Sequence, residues 1–139
     1  MFLTLLSLFF STGKVVYCYD GDTCRYQDHL GLSVNIRVAG IDAPELKANE
    51  PFAVEAKTFI NNLIKGKRVI IKQYGIGYYQ RPIVSIWLAS TDIGEELIKS
   101  GYARTKRGYF DKEKLRQYRA HELNAKIKKI GIWSRPNNL

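Results

Sequence analysis

The sequence predicts an α+β fold, mainly β: a five-stranded barrel with three helices, in the order β-β-β-α-β-β-α-α. Three observations predict it. The first third of the 139-residue chain alternates in short β-type runs broken by turn residues. A helical period interrupts the strands once, after the third. Two more strand runs follow, and then two helical ones. Three meandering strands, a helix and two further strands are the outline of an OB-type barrel. The length suits one domain.

Each element has its own signal. "KVVYCYDGDTCRY" (14–26) reads as strand, turn, strand. Val15, Val16, Tyr17 and Tyr19 favour a sheet, and Asp20-Gly21 is a strong hairpin signal. Cys18 and Cys24 then face each other across the hairpin, where they either pair or remain two ordinary strand thiols. A second turn falls near "QDHLG" (27–31). "LSVNIRVAGI" (32–41) alternates, with Val34, Ile36 and Val38 on one face and Asn35, Arg37 and Ala39 on the other. Gly40 interrupts that alternation and marks a bulge or a close approach.

In "EPFAVEAKTFINNLIKG" (50–66), Phe52, Ala56, Phe59, Ile60, Leu63 and Ile64 share one helical face. Pro51 suits the first turn, and Gly66 supplies the stop. "KRVIIKQY" (67–74) and "RPIVSIWLA" (81–89) are the fourth and fifth strands, joined by the glycine loop "GIGYYQ". "TDIGEELIKSG" (91–101) is a short helix with Asp92 and Glu95 at capping-box spacing. Residues 111–130 form the last helix, with Ala120, Leu123, Ile127 and Ile130 as the expected buried stripe.

Charge narrows the partners. There are 22 Lys and Arg against 13 Asp and Glu, a net charge of +9. Such a balance suits a polyanion, either nucleic acid or an anionic membrane surface. The excess gathers in residues 104–129, which read mainly as a solvated helix face. The opening "MFLTLLSLFF" is uncharged and too short to span a bilayer. With Ser11, Thr12 and Gly13 after it, residues 1–13 suit a signal peptide, or alternatively a first hydrophobic strand. The first reading implies a secreted or periplasmic domain over 14–134, with 135–139 as a short tail. His29, His121, Cys18 and Cys24 do not have the spacing of a zinc site.

Five charged residues stand at strand ends or off a strand: Asp22, Arg37, Asp42, Glu45 and Arg81. A meander barrel can bring them to one rim. Three acids and two arginines at one point need a cation and an anion to satisfy them. Calcium and magnesium take hard oxygen ligands of this kind, and paired guanidinium forks match phosphate.

"DGDT" (20–23), "RVAGIDAPE" (37–45), "YYQRPIVSIW" (78–87) and "GIWS" (131–134) resemble the thermonuclease family, typified by staphylococcal nuclease. The resemblance runs from about residue 14 to 134. It implies an OB-fold phosphodiesterase that needs Ca²⁺, cuts DNA and RNA, and leaves 3′-phosphates. It implies that Asp22, Asp42 and the Ala43 carbonyl hold the calcium, that Glu45 is the general base, and that Arg37 and Arg81 bind phosphate. Tyr79 and Tyr109 are placed to stack on bases or donate to phosphate. Three departures stand out. Ala43 replaces a threonine, Gln80-Arg81-Pro82 replaces Gly-Arg-Gly, and the stretch between Glu45 and the first helix is short. A monomer with no stable protein partner and no membrane span is expected. The rival reading is a non-catalytic OB-fold module that grips nucleic acid without cutting it.

Overall fold

A computed structural model describes residues 10–135. β1 (Phe10–Asp20) and β2 (Thr23–Asp28) form the hairpin signalled by Asp20-Gly21, with Gly21 and Asp22 as the turn, and β3 (Ser33–Val38) adds antiparallel to β2. β4 (Ile41–Asp42) and α1 (Ala53–Ile64) follow. β5 (Arg68–Ile76) then returns to pair with β1, and β6 (Pro82–Leu88) pairs antiparallel with β5. The barrel closes through a parallel contact between β3 and β6, with Arg37 opposite Ile83 and Val38 opposite Val84. After it come β7 (Thr91–Asp92), α2 (Ile93–Lys99), β8 (Arg104–Thr105) and α3 (Lys112–Lys128). The α+β barrel with three helices is the architecture the sequence predicts. The three two-residue strands are additions to it.

β1 begins earlier than expected. Phe10 through Gly13 pair with Lys72 through Val69, so part of the segment read as a signal peptide is sheet. Residues 1–9 lie outside the described residues, as do 136–139. Cys18 and Cys24 are direct cross-strand partners, buried, and joined as a disulfide. Gly40 has φ 78°, and a Cβ there would meet the Phe110 ring at 2.5 Å. The irregularity at Gly40 is thus a close approach.

The core lies inside the barrel and under α1 and α2. Ala53, Ala56, Ile60 and Ile64 are the buried residues of α1, with Phe59 and Leu63 packed at the edge. Phe52 sits before the helix at φ 71° and joins a second cluster with Ala125, Ile130, Ile132 and Trp133.

The last helix departs from its expected packing. Its buried residues are Tyr118 and Ala125, whereas Leu123 and Ile127 are exposed at 58% and 71%. Ala120 is exposed as well. The reason is that α3 docks through hydrogen bonds. Tyr118 Oη donates to the Asp92 carboxylate at 2.8 Å, and Glu122 accepts from Thr105 N at 2.7 Å and from Thr105 Oγ1 at 3.0 Å. An apolar period cannot find a face built from polar partners. Asp92 also caps α2 by accepting from Glu95 N, which confirms the expected cap. Burial pushes the Asp92 carboxyl above its usual range, while the Tyr118 hydroxyl and the Glu95 N–H pull it back. Removing one partner of a buried charge-assisted bond costs about 1.5–3 kcal/mol. Tyr118→Phe is therefore expected to destabilise the protein by about 2 kcal/mol, read by denaturant unfolding. A change under about 0.5 kcal/mol would mean that Asp92 does not depend on this bond.

Candidate active site

Barrel closure assembles the site. Thr23 on β2 is the register partner of Arg37 on β3, and Val38 N donates to Asp22 O at 2.9 Å. The parallel contact then brings the start of β6 alongside, where Arg81 directly precedes the strand, and Ala39 N donates to Val84 O at 2.7 Å. Pro82 opens β6, a strand-end position that the ring tolerates. β4 carries Asp42 and is pinned by β8, with Asp42 opposite Arg104.

Four of the expected charged residues form one connected set. Arg37 Nη1 lies 3.0 Å from Asp22 Oδ2, and Arg37 Nη2 lies 3.4 Å from Asp42 Oδ1. One guanidinium thus stands between the two carboxylates. Arg81 Nη1 reaches Thr23 Oγ1 at 3.5 Å, and that hydroxyl donates to Asp22 Oδ1 at 3.1 Å. Ala43 is present through its backbone, whose N–H donates to Asp22 Oδ2 at 2.8 Å. Glu45 follows the buried Pro44 and is exposed. Its main-chain N–H donates to Glu50 Oε1 at 3.1 Å, while no described hydrogen bond or ion pair ties its carboxylate.

Asp22 is the electrostatic centre. It is 6% exposed, and its carboxyl is pushed up to about 6. Burial is the main cause, Asp20 adds to it, and Arg37 opposes it. Arg37 Nη1 is itself buried and has the ion-pair contact without an aligned hydrogen bond, so the attraction is incomplete. The folded protein holds this proton to about pH 6, whereas an unperturbed carboxyl releases it near 3.8. Without a bound cation, stability therefore falls as pH rises between these two values, by up to ~3 kcal/mol. Unfolding at pH 4 and pH 7 checks this. The difference between the native chain and Asp22→Asn is expected to change by about that amount, and a pH-independent difference would refute it.

The donor set fits a hard divalent cation. A buried carboxylate whose charge its own arginine compensates only in part gains from a positive ion. Such ions also accept one or two carboxylates and leave their remaining positions to water and phosphate oxygens. Among the described residues there is no cluster of three or more His, Cys, Asp or Glu able to enclose a metal by itself.

A cavity of about 470 Å³ opens beside Arg37 and Arg81. Ile76, Ile83, Tyr78 and Tyr109 wall it, and Lys106 and Arg107 stand at its edge. Tyr109 is held over Gly75, where a Cβ would meet its ring at 2.7 Å. Lys106 N donates to Gly40 O at 2.8 Å, which ties that loop to the rim. Tyr109 therefore lines the same cavity as Arg37 and Arg81. Tyr79 does not line the cavity, and Tyr78 does. Tyr79 is 89% exposed, at φ 59°, with its ring 5.6 Å from the Arg81 guanidinium carbon. Lys106 and Arg107 were not singled out in the sequence. Their only signal was the basic run that begins at residue 104.

A closed OB-like barrel with two acids and two arginines gathered at its rim is an architecture of the nuclease type. The family model described as staphylococcal nuclease homologue matches residues 35–135. The chain belongs to that family. It is 36% identical to a probable endonuclease LCL3 of Phaeosphaeria nodorum over 119 residues, covering 78% of this chain and 40% of that protein. It is 34% identical to the LCL3 of Botryotinia fuckeliana over 119 residues, covering 78% and 45%. It is 31% identical to the endonuclease Htp3 of Saprolegnia parasitica over 146 residues, covering 88% and 69%. The chain thus spans less than half the length of these two LCL3 relatives. It carries a hydrolase domain of the nuclease family.

Proposed function

We propose that this domain is a calcium-dependent endonuclease that hydrolyses phosphodiester bonds of DNA and RNA. The observation that supports it most directly is the connected set of Arg37, Asp22, Asp42, Thr23 and Arg81. Arg37 and Arg81 bind the scissile phosphate from two strands of one rigid barrel. Glu45 accepts a proton from water as that water attacks phosphorus in line. A P–O bond to water forms, the P–O5′ bond breaks, and a 3′-phosphate remains. Asp22, Asp42 and the Ala43 carbonyl are the residues that would hold Ca²⁺. When bound, such an ion supplies Lewis-acid polarisation of a non-bridging oxygen. The arginines meet charge that grows in the transition state, and each such preorganised donor is worth on the order of 10²–10³ in rate. Tyr109, with Lys106 and Arg107, borders the adjoining cavity where a neighbouring nucleotide fits.

The disulfide at the hairpin supports work in an oxidising compartment, in keeping with a secreted or periplasmic protein. Among the described residues, no helix is long and apolar enough to cross a membrane.

The test is cleavage of single-stranded DNA and RNA with Ca²⁺, with Mg²⁺ and with chelator. Cutting is expected with Ca²⁺ alone, and Glu45→Gln is expected to lower it by about 10²–10⁴. Salt-sensitive binding without cutting under either ion would sink the reading and leave a binding module.

A further inference from the structure

We propose that the groove between α1 and the middle of β1 is a second strand-binding subsite, which holds nucleotides on the far side of the scissile phosphate from the Tyr109 cavity. This rests on the nuclease reading. The groove has a volume of about 460 Å³, close to that of the Tyr109 cavity. Its lining includes Tyr17, Leu46, Val54, Lys57, Asn62 and Lys65, and no acidic residue.

Two ammonium groups flank one ring. Lys57 Nζ lies 5.0 Å and Lys65 Nζ 5.5 Å from the centre of Tyr17. Neither lysine makes a described ion pair, so both charges face a groove without a counter-anion. Val54 is 61% exposed and extends the apolar floor toward Tyr17. Tyr19 packs edge-on to Tyr17 at 5.4 Å and steadies the ring. Cations spaced over an aromatic floor are the chemistry that takes consecutive phosphates and a base of a single strand. Paired carboxylates would exploit the lysines but leave the aromatic and apolar floor unused.

The groove meets the chain segment that carries Glu45. Leu46 lines it, and Leu46 directly follows Glu45. Asn61, a lining residue too, donates to Cys18 O and accepts from Cys18 N, both at 2.9 Å. The groove wall is thereby fixed to the strand that leads into the Asp22 turn. Arg37 and Arg81 line the Tyr109 cavity, and the residue that follows Glu45 lines this groove.

The test uses the full chain and oligothymidylates. One is a dinucleotide and the other has about twelve nucleotides, within the range of single-strand site sizes. Lys57→Ala combined with Lys65→Ala is expected to raise KM for the long substrate about tenfold and leave kcat unchanged. The dinucleotide, which cannot reach the groove, is expected to be cut as before. Binding of the long oligonucleotide in chelator should lose about 1.4 from its logarithmic salt slope, the value for two phosphate contacts to a single strand. Tyr17→Leu should weaken the same binding at least about fivefold. Lys128→Ala with Lys129→Ala removes the same charge from the end of α3 and should change KM and salt slope by less than half as much. Equal losses for both lysine pairs, equal losses for both substrates, or no loss would each overturn the subsite. The binding arm reads the groove even if the native chain cuts nothing, so failure of the nuclease reading is seen separately.

Discussion

Arg37→Ala is expected to lower the cleavage rate by at least about a hundredfold and to destabilise the fold as well. The two effects have one origin. The guanidinium bridges Asp22 and Asp42 at 3.0 and 3.4 Å, and the Asp22 side chain is 8% exposed. On the proposed mechanism truncation removes a donor to the phosphate, and it leaves the buried Asp22 carboxylate without its guanidinium partner. Breaking a buried pair by deleting one partner costs about 3–5 kcal/mol. Part of this is recovered below about pH 6, because Asp22 then takes up a proton. Unfolding at pH 7 and pH 5 should therefore show a larger loss at pH 7. Arg37→Lys separates charge from shape: it keeps a cation and loses the fork that spans both carboxylates. It should regain much of the stability and little of the rate. Arg81 provides the contrast. It touches the acids only through Thr23 at 3.5 Å, so Arg81→Ala should lose rate on a similar scale with a stability change under about 1 kcal/mol. Equal stability losses in the two alanine variants would mean that Arg37 does not compensate Asp22.

The second large effect is expected at Gly40. Its φ of 78° lies where a side chain is strained, and the Phe110 ring atoms stand 2.5 and 2.6 Å from a built Cβ. Phe110 cannot withdraw freely, since its ring packs on Tyr118 at 5.0 Å and on Tyr74 at 5.3 Å. Gly40→Ala combines backbone strain with overpacking, each about 1–3 kcal/mol. A loss of about 3 kcal/mol is expected, near 10 °C in Tm for a domain of this size. Activity should fall too, because Gly40 lies between Arg37 and Asp42 and its carbonyl holds Lys106. A shift of less than about 3 °C would show that Phe110 has room to move.

These residues also show what the sequence disclosed. Strand alternation, the Asp20-Gly21 turn and the break at Gly40 are local signals, and each marks what it was read to mark. The grouping of Asp22, Arg37, Asp42 and Arg81 was legible because they lie at or near strand ends, where a meander gathers them, while Glu45 stands outside the connected set. The face of α3 was not. Its docking rests on Tyr118 with Asp92 and Glu122 with Thr105, pairs separated in the chain by 26 and 17 residues. Apolar periodicity pointed instead to Leu123 and Ile127, which face solvent. The choice between Tyr78 and Tyr79 turns on backbone angles at Tyr79 and Gln80, both with positive φ, which pattern cannot supply. Lys57 and Lys65 become neighbours of Tyr17 only when α1 lies against β1.

The parallel seam between β3 and β6 has a consequence for folding. Arg37 waits for a partner at position 83, so a chain emerging from synthesis can form the first hairpin and the third strand long before the rim exists. Seam closure is the non-local step, and loop entropy makes such contacts late. Asp22 and Arg37 can therefore meet within the β2–β3 pairing, whereas Arg81 joins them only when the barrel closes. The amide proton of Ala39, bonded to Val84 O across the seam, should exchange with solvent at the rate of global opening.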